Sequence, residues 1–190
     1  MRRLRAEWSD IAAEPVGTVW IINGIPGSGK STVARALCAA FPRAAHIEGD
    51  RLQDLIISGS VPPGGSPHDE EARQIHLNVR NQCLLSSSFA DAGIVPVIDY
   101  IVTSRARLRE YYDQLAGYAL HLVTLDPGVE VALERDRLRD EKTVGARWVH
   151  LRDEIVAELW GVGLWLDTSA MTPEQTIARI LAERATARLA

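Results

Sequence analysis

A glycine-rich octapeptide near the start of the chain combines the residue types that bind phosphate groups. Residues 24–31 read Gly-Ile-Pro-Gly-Ser-Gly-Lys-Ser, which has the spacing G-x-x-x-x-G-K-S. Glycine permits backbone conformations in which successive N–H groups curl around phosphate oxygens. The spacing predicts that Lys30 reaches the β- and γ-phosphates of a nucleotide and that the Ser31 hydroxyl ligates Mg²⁺. The predicted nucleotide-binding residues are Gly24, Ile25, Pro26, Gly27, Ser28, Gly29, Lys30, Ser31 and Thr32.

The segments on either side of this loop fit the structural context that it needs. An apolar run at 16–23 has the composition of a strand, and Val33, Leu37 and Phe41 recur every four residues after the loop. That period places the three side chains on one face of a helix. Strand, loop and helix therefore favour a phosphate-binding loop over a glycine-rich turn in some other α/β protein.

Two carboxylates follow predicted strands. Asp99 ends the apolar run 94–98, and Asp50 comes shortly after the strand 44–47. Because ligands bind at the carboxyl ends of parallel strands, Asp99 is predicted to hold Mg²⁺ directly or through water, as a Walker-B carboxylate does, with an ordinary loop or cap residue as the alternative. Asp50 is predicted to accept or orient the proton of a substrate hydroxyl. Its alternative is the N-cap of the helix-like stretch that follows, and Glu48 is a weaker candidate for the same chemistry.

A densely charged segment at about 134–154 is predicted to form a lid. Arg135 and Arg139 are four residues apart, so on a helix they share a face and repel each other unless an anion lies between them. A triphosphate in the transition state would be that anion, so both arginines are predicted to be catalytic. The alternative is a solvated helix in which neighbouring acids pair with the arginines. Lys142 and Arg147 are weaker candidates.

Two further signals lie in the C-terminal part of the chain. Asp167 and Thr168 follow the last predicted strand in an Asp-Thr-Ser sequence, where a loop can lie against the nucleotide base. The same residues could form a simple turn. Trp148, Trp160 and Trp165 could line a substrate site, although tryptophans at such positions are more often core residues.

Strand-like and helix-like segments alternate along the chain. The predicted strands are 17–23, 44–47, 94–98, 119–125 and 163–166. Alternation of this kind predicts a three-layer α/β domain, with helices on both faces of a parallel sheet. Residues 1–14 are predicted to be an N-terminal arm, and 15–190 a single domain.

Helix boundaries carry their own signals. A helix near 50–58 is predicted after the second strand. Ser66 is predicted to cap the long helix that runs to about 91, with Pro67 at its first position. Thr172 and Gln175 form a predicted capping box at the start of the last helix.

Composition limits the range of partners. The chain has 190 residues, a formal net charge of −4 and two cysteines. The acidic balance argues against broad binding to nucleic acid or to anionic membranes. The basic N-terminus is not followed by an apolar stretch, and no run approaches the ~20 apolar residues of a membrane span. The two cysteines read as core residues in a reducing compartment, so a cytoplasmic protein is expected.

Taken in chain order, the phosphate-binding loop, the two strand-end acids, the arginine-rich segment and the Asp167–Ser169 turn resemble the small P-loop kinases. Over about 16–188, the chain is most similar to the group that contains chloramphenicol phosphotransferase and its AAA-type, zeta-toxin-like and gluconate-kinase-like relatives. The resemblance implies sheet order 2-3-1-4-5, a helical lid, and ATP with Mg²⁺. It also implies Asp50 in the acceptor-activating position and Arg135 with Arg139 as lid arginines. Tyr100 stands where the chloramphenicol-modifying pattern has a second acid, so the acceptor is left open.

Three classes of function fit these features. The leading hypothesis is an ATP-dependent kinase that transfers the γ-phosphoryl group to a hydroxyl of a small molecule, an antibiotic or a metabolite. The second is a nucleotide, nucleotide-sugar or polynucleotide-end kinase, although the acidic balance weighs against polynucleotides. The third is a nucleotide-dependent ATPase switch that acts on a partner; the chain lacks the N-K-x-D motif of a GTPase switch.

Overall fold

Across the described residues, five parallel strands form one sheet. The structure is a computed structural model that describes residues 17–138 and 145–189. Its strands are β1 (Thr18–Asn23), β2 (Ala44–Glu48), β3 (Val95–Asp99), β4 (Ala119–Leu125) and β5 (Leu164–Leu166). They are hydrogen-bonded in the order β2-β3-β1-β4-β5, and every neighbouring pair is parallel. The predicted fold class and the sheet order implied by the resemblance are confirmed.

Helices connect the strands. Within the described residues they are α1 (Lys30–Ala40), α2 (Gly49–Gln53), α3 (His68–Asp91), α4 (Arg105–Gln114), α5 (Val129–Arg137), α6 (Gly145–Trp148), α7 (Leu151–Leu159), α8 (Pro173–Ala182) and α9 (Arg184–Ala187). No helix among them has both the length and the apolar character needed to cross a bilayer. The predicted N-terminal arm lies outside the described residues, as do Arg139 and Lys142 of the predicted lid.

The sheet is buried on both faces, and β1 shows this most clearly. Its side chains alternate between two apolar clusters: Val19 and Ile21 belong to one, Trp20 and Ile22 to the other. Successive side chains of a strand point to opposite faces, so a strand with helices above and below it must be apolar throughout. The first cluster also contains residues of α3, α4 and α7, and the second contains residues of α1 and α8. These are the three layers that the alternating pattern predicts.

Helix starts agree only in part with the sequence signals. The capping box of α8 is confirmed, with the Thr172 hydroxyl accepting a hydrogen bond from the Gln175 amide at 3.2 Å. The predicted Ser66 cap is wrong: α3 begins at His68, Pro67 occupies the N-cap position, and no side chain caps the helix. Ser66 therefore lies one residue too early to act as the cap. The helix after β2 is also shorter than predicted, because α2 ends at Gln53.

Candidate active site

The register of the strands brings the predicted residues to one edge of the sheet. Asp99, the last residue of β3, pairs with Glu48 at the end of β2 and with Ile22 near the end of β1. The phosphate-binding loop leaves β1 directly after Asn23, and α2, which carries Asp50, leaves β2 directly after Glu48. The loop and the two carboxylates are therefore neighbours at the carboxyl ends of three adjacent strands, where ligands of such sheets bind.

Glycine is needed in the phosphate-binding loop for two different reasons. At Gly27, φ is 81°, and a Cβ atom would lie 2.8 Å from the carbonyl carbon of Ala132 in α5 and closer still to its oxygen. Gly29 has φ 95° and is the N-cap of α1, yet a Cβ atom there would meet nothing within 4 Å. No side chain caps α1, so the first N–H groups of this helix remain available to an anion. The loop is thus packed against the protein at Gly27 and open at Gly29.

Lys30, Ser31 and Asp99 form the electrostatic centre of the edge. The Lys30 ammonium donates a hydrogen bond to the Ile25 carbonyl oxygen of its own loop at 3.1 Å. Asp99 is 7% exposed. Burial acts to raise its pKa, but the neighbouring His46 imidazole, the Lys30 ammonium and the Ser31 hydroxyl together hold that pKa below its ordinary value. Asp99 is therefore ionised at neutral pH.

The same residues fit a magnesium ion. Mg²⁺ prefers oxygen ligands and is usually held by one or two protein groups together with substrate phosphates and water. The ionised carboxylate of Asp99 and the hydroxyl of Ser31 are such ligands, and they lie beside the open end of the phosphate-binding loop. His46 supports Asp99 from β2, with its Nε2 atom 3.6 Å from Asp99 Oδ2, which is a close contact rather than a hydrogen bond.

Asp50 has the opposite electrostatic environment. It is the second residue of α2, and the N-cap position belongs to Glu48, so Asp50 is not the N-cap. Asp50 is exposed to solvent, although the surrounding protein removes part of the hydration of its carboxylate. This partial loss of hydration raises its pKa; Lys30 acts to lower the pKa, while Asp99 and Glu48 act to raise it further. Asp50 is thus a carboxylate with a raised pKa beside one whose pKa is lowered.

Glu48 is occupied with cations, which makes it a poorer candidate base. Its carboxylate lies 2.7 Å from the Arg35 guanidinium, 3.3 Å from His46 Nδ1 and 3.8 Å from Arg51 Nε. Between the two acids that flank Gly49, Asp50 remains the better candidate for accepting a proton.

Arg135 contacts the turn that follows β5. Its Nη2 atom donates to the Thr168 carbonyl oxygen at 2.8 Å and to the Ser169 carbonyl oxygen at 3.3 Å. In the same turn, the Asp167 carboxylate accepts a hydrogen bond from the Ser169 backbone amide at 2.8 Å. Hydrogen bonds from Ser169 lower the pKa of Asp167. Arg135, predicted as a lid arginine, therefore contacts the Asp167–Ser169 turn, which was predicted separately to lie against the nucleotide base. The helix α5 is described to Arg137, and the predicted shared face of Arg135 and Arg139 lies partly outside the described residues.

The described part of the predicted lid reaches the loop before α3. Arg147 Nη2 donates to the Gly64 carbonyl oxygen at 3.3 Å, and its guanidinium stacks over the Trp148 ring at 4.8 Å from the centroid. Trp148 itself packs on Gly64, where a Cβ atom would come within 2.9 Å of the indole. Trp160 is exposed and meets the half-buried Trp165 edge-on at 4.9 Å. Of the three tryptophans, Trp148 is thus the one that contacts the loop region opposite the lid.

Sequence reasoning missed an ion pair beside the loop. Arg152 of α7 makes a two-pronged contact with Asp126 at the end of β4, with distances of 2.7 and 2.8 Å. A paired guanidinium and carboxylate in this geometry is stronger and more directional than a single contact. The pair lines a small pocket next to the phosphate-binding loop, together with Gly24, Ile25, Thr124 and Trp165. It ties α7 to the sheet beside the loop.

The family of the chain is shown by its sequence. Residues 19–155 match the family model described as an AAA domain, AAA_33, which covers the loop, both acids and the predicted lid. The chain belongs to this family of P-loop proteins, and the loop is a nucleotide-binding loop. A comparison with curated protein sequences found no match.

Solved structures share the fold over nearly the whole chain. A sugar kinase from Janibacter sp. HTCC2649 is 23% identical with a TM-score of 0.67, over 90% of this chain and 95% of that one. The tunicamycin resistance protein of Deinococcus radiodurans is 21% identical with a TM-score of 0.65, over 92% and 99%. Shikimate kinase from Acinetobacter baumannii, solved with shikimate, is 20% identical with a TM-score of 0.61, over 94% and 97%. These similarities establish the fold.

Proposed function

We propose that the protein is an ATP- and Mg²⁺-dependent kinase that transfers the γ-phosphoryl group to a hydroxyl of a small molecule. The observation that carries this proposal is the grouping of the nucleotide-binding loop with two carboxylates, Asp99 and Asp50, at the carboxyl ends of three adjacent strands. The pKa of Asp99 is lowered and that of Asp50 is raised, although both lie near Lys30. When environments push the pKa values of two acids apart, the acids have separate roles. Asp99 is suited to a metal, and Asp50 to a proton.

The proposed reaction uses these roles in turn. The loop amides and Lys30 bind the phosphates of ATP and hold the γ-phosphoryl group towards Asp50. Asp50 accepts the proton of the substrate hydroxyl as the substrate oxygen forms its bond to the γ-phosphorus. The bond between that phosphorus and the β,γ-bridging oxygen breaks, and ADP leaves. Mg²⁺ held by Ser31 and Asp99 would neutralise phosphate charge during this step.

Arginines complete the proposed site. Arg135, with Arg139 beyond the described residues, is proposed to neutralise charge that develops on the transferring group. The predicted lid, about 134–154, is proposed to close over the bound nucleotide and exclude water that would compete with the acceptor. In support, α6 and α7 already contact the loop before α3 and the end of β4 through Arg147 and Arg152.

The class of acceptor is supported by the structural relatives. Their names describe kinases of sugars and of shikimate and a protein of tunicamycin resistance, which fits a small hydroxyl compound, either a metabolite or an antibiotic. The net charge of −4 argues against a polynucleotide acceptor. The charged segment 134–154 favours a kinase over an ATPase switch, because a lid that closes over the nucleotide excludes the water that hydrolysis would need.

A screen of ATP consumption tests the proposal. The purified protein is incubated with ATP and Mg²⁺ against a panel of sugars, hydroxylated antibiotics and nucleosides. Consumption is expected to rise above the acceptor-free rate for one chemical class and to fall ~10²-fold or more in Lys30→Ala. Arg109→Ala, which removes an exposed positive charge on α4, is the matched control and should keep wild-type turnover. Near-wild-type turnover in Lys30→Ala would contradict the assignment of this loop as the active site.

A further inference from the structure

One face of α3 is buried and yet polar. Gln74, Asn78, Gln82 and Ser86 recur every four residues along this helix, and none is more than 3% exposed. A buried helix face is ordinarily apolar, because taking an amide out of water costs free energy unless its hydrogen bonds are satisfied. The three amide side chains make such bonds. Gln74 and Asn78 bind residues of α2, the helix of Asp50, or of the loop after it, and Gln82 binds Asn78.

Three side chains form a directed chain of hydrogen bonds that ends on the backbone. The Tyr111 hydroxyl donates to Gln82 Oε1 at 2.6 Å, and Gln82 Nε2 donates to Asn78 Oδ1 at 2.9 Å. Asn78 Nδ2 then donates to the Gly49 carbonyl oxygen at 2.9 Å. We refer to Tyr111, Gln82 and Asn78 as the relay. Each donor fixes the orientation of the next amide, and buried hydrogen bonds in series strengthen one another.

The relay ends on the peptide group that precedes Asp50. The Gly49 carbonyl belongs to the bond that joins Gly49 to Asp50. Gly49 is tightly enclosed, because a Cβ atom there would lie 2.7 Å from Tyr100 Cγ and 2.7 Å from Gln82 Nε2. The position of Asp50 therefore depends on what surrounds this one peptide.

Tertiary contacts must hold α2, because the helix has five residues and is too short to persist by itself. Its other end is held by the same face of α3. Gln74 Oε1 accepts from Gln53 Nε2 at 3.2 Å and from the Val61 amide at 2.8 Å, and Gln74 Nε2 donates to the Gly59 carbonyl oxygen at 2.8 Å. Polar residues of α3 thus bind both the start of α2 and the loop that follows it.

We propose that the relay residues are positioning residues that fix Asp50 for phosphoryl transfer. The inference rests on the proposed function, in which Asp50 accepts the acceptor proton. A base must come within about 2.6–3.2 Å of the proton donor, and a displacement of about 1 Å at an active site can cost ~10²-fold in rate. Apolar residues at 78 and 82 would fill the same space, but they could not hold the Gly49 peptide in one place.

The first arm of the test needs no acceptor. Hydrogen exchange is measured over 49–55 in wild type, Tyr111→Phe, Asn78→Ala and Ser86→Ala. Tyr111→Phe and Asn78→Ala are expected to raise exchange in this segment about tenfold while β1 and α1 keep their protection. Ser86→Ala is the matched control, since Ser86 is buried on the same face but its hydroxyl has no partner among the described residues. Unchanged exchange in both relay variants would overturn the proposal.

The second arm asks whether the relay acts through Asp50. With the acceptor from the screen, kcat and the KM for ATP are measured for Asn78→Ala, Asp50→Asn and the double variant. Asn78→Ala is expected to lower kcat roughly tenfold with an unchanged KM for ATP, and to cost less than about twofold once Asp50 is already Asn.

Other results of the second arm contradict one proposal or the other. Equal losses in kcat in the two backgrounds would mean that Asn78 supports the fold without positioning Asp50, which overturns the inference and leaves the proposed function standing. Full turnover in Asp50→Asn alone would contradict the role of Asp50 itself, and with it the inference. If no acceptor is found, the proposed function has failed, and the exchange arm still decides whether the relay holds α2.

Discussion

Gly27 is the point at which the nucleotide-binding loop packs against α5, and Gly27→Ala should separate the loop from its support. The new Cβ atom would lie 2.8 Å from the Ala132 carbonyl carbon and closer to its oxygen, with φ at 81°. The left-handed conformation costs a residue with a Cβ about 1–2 kcal/mol. Forcing an atom into a filled site costs about 1–3 kcal/mol more. We expect about 2–5 kcal/mol of destabilisation, and a fall in Tm of roughly 4–20 °C for a domain of this size.

A matched glycine isolates the steric part of this effect. Gly117 has φ 97°, but a Cβ atom there would meet nothing within 4 Å. Gly117→Ala should therefore lower the free energy of unfolding only by the conformational term of about 1–2 kcal/mol. Thermal melts are recorded for both variants with and without ATP and Mg²⁺. ATP is expected to raise the Tm of wild type and Gly117→Ala but not of Gly27→Ala, because ligand that binds only the intact loop stabilises only proteins that retain it. A Gly27→Ala protein that melts like Gly117→Ala and is still stabilised by ATP would refute this reasoning.

Three further predictions concern the charged residues of the site. At pH 7, Asp50→Asn should raise thermal stability and Asp99→Asn should lower it. The pKa of Asp50 is raised in the folded protein, so its contribution to stability is present at low pH and is lost as pH rises through that pKa. The pKa of Asp99 is lowered in the folded protein, so its contribution is present above the ordinary pKa of Asp and is lost as pH falls through the lowered pKa. In kinetics, Asp50→Asn should lower kcat with little change in ATP affinity, while Asp99→Asn should raise the Mg²⁺ requirement. Arg135→Ala should lower kcat more than it raises the KM for ATP, and an ATP analogue with Mg²⁺ should increase hydrogen-exchange protection across 134–154.

Each of these predictions has a result that would count against it. Lower thermal stability of Asp50→Asn at pH 7 would contradict the raised pKa of Asp50, and an unchanged kcat in that variant would remove Asp50 from the proton transfer. An unchanged Mg²⁺ titration in Asp99→Asn would remove Asp99 from the metal site. Arg137→Ala is the control for Arg135→Ala, because Arg137 is exposed and pairs with Glu134 at 2.9 Å. Identical kinetics for the two arginine variants, with equal protection in both nucleotide states, would leave Arg135 with only a structural role, its contact with the turn after β5.

The elements that carry the loop and Asp99 could be predicted because their signals are local. The loop motif fixes its own strand and helix, and an acid at the end of an apolar run marks the carboxyl edge of a buried strand. The pairing of Asp99 with Glu48 depends on the strand order, which the family resemblance implied, and on the register, which the sequence did not predict. Asp50 was proposed as a base from its place after β2, and the sequence alone could not separate this role from that of an N-cap.

Features that depend on contacts between distant segments could not be predicted. Gln74, Asn78 and Gln82 have the spacing of one helix face, and polar residues in that pattern ordinarily indicate solvent; only tertiary packing buries them against α2. The Asp126–Arg152 ion pair joins side chains 26 positions apart along the chain, and no sequence motif predicts it. The short helix α2 and the hydrogen bond on the Gly49 carbonyl that precedes Asp50 likewise depend on residues of α3, which the local sequence does not specify.

The fate of the γ-phosphorus tests the central claim most directly. ³¹P NMR follows ATP and Mg²⁺ with the wild-type protein and an acceptor that raises consumption in the screen. A new phosphomonoester resonance should grow in step with ADP, and it should be absent with Lys30→Ala. If all of the γ-phosphorus instead appears as inorganic phosphate, whichever hydroxyl compound is supplied, the protein is an ATPase and the kinase assignment is wrong.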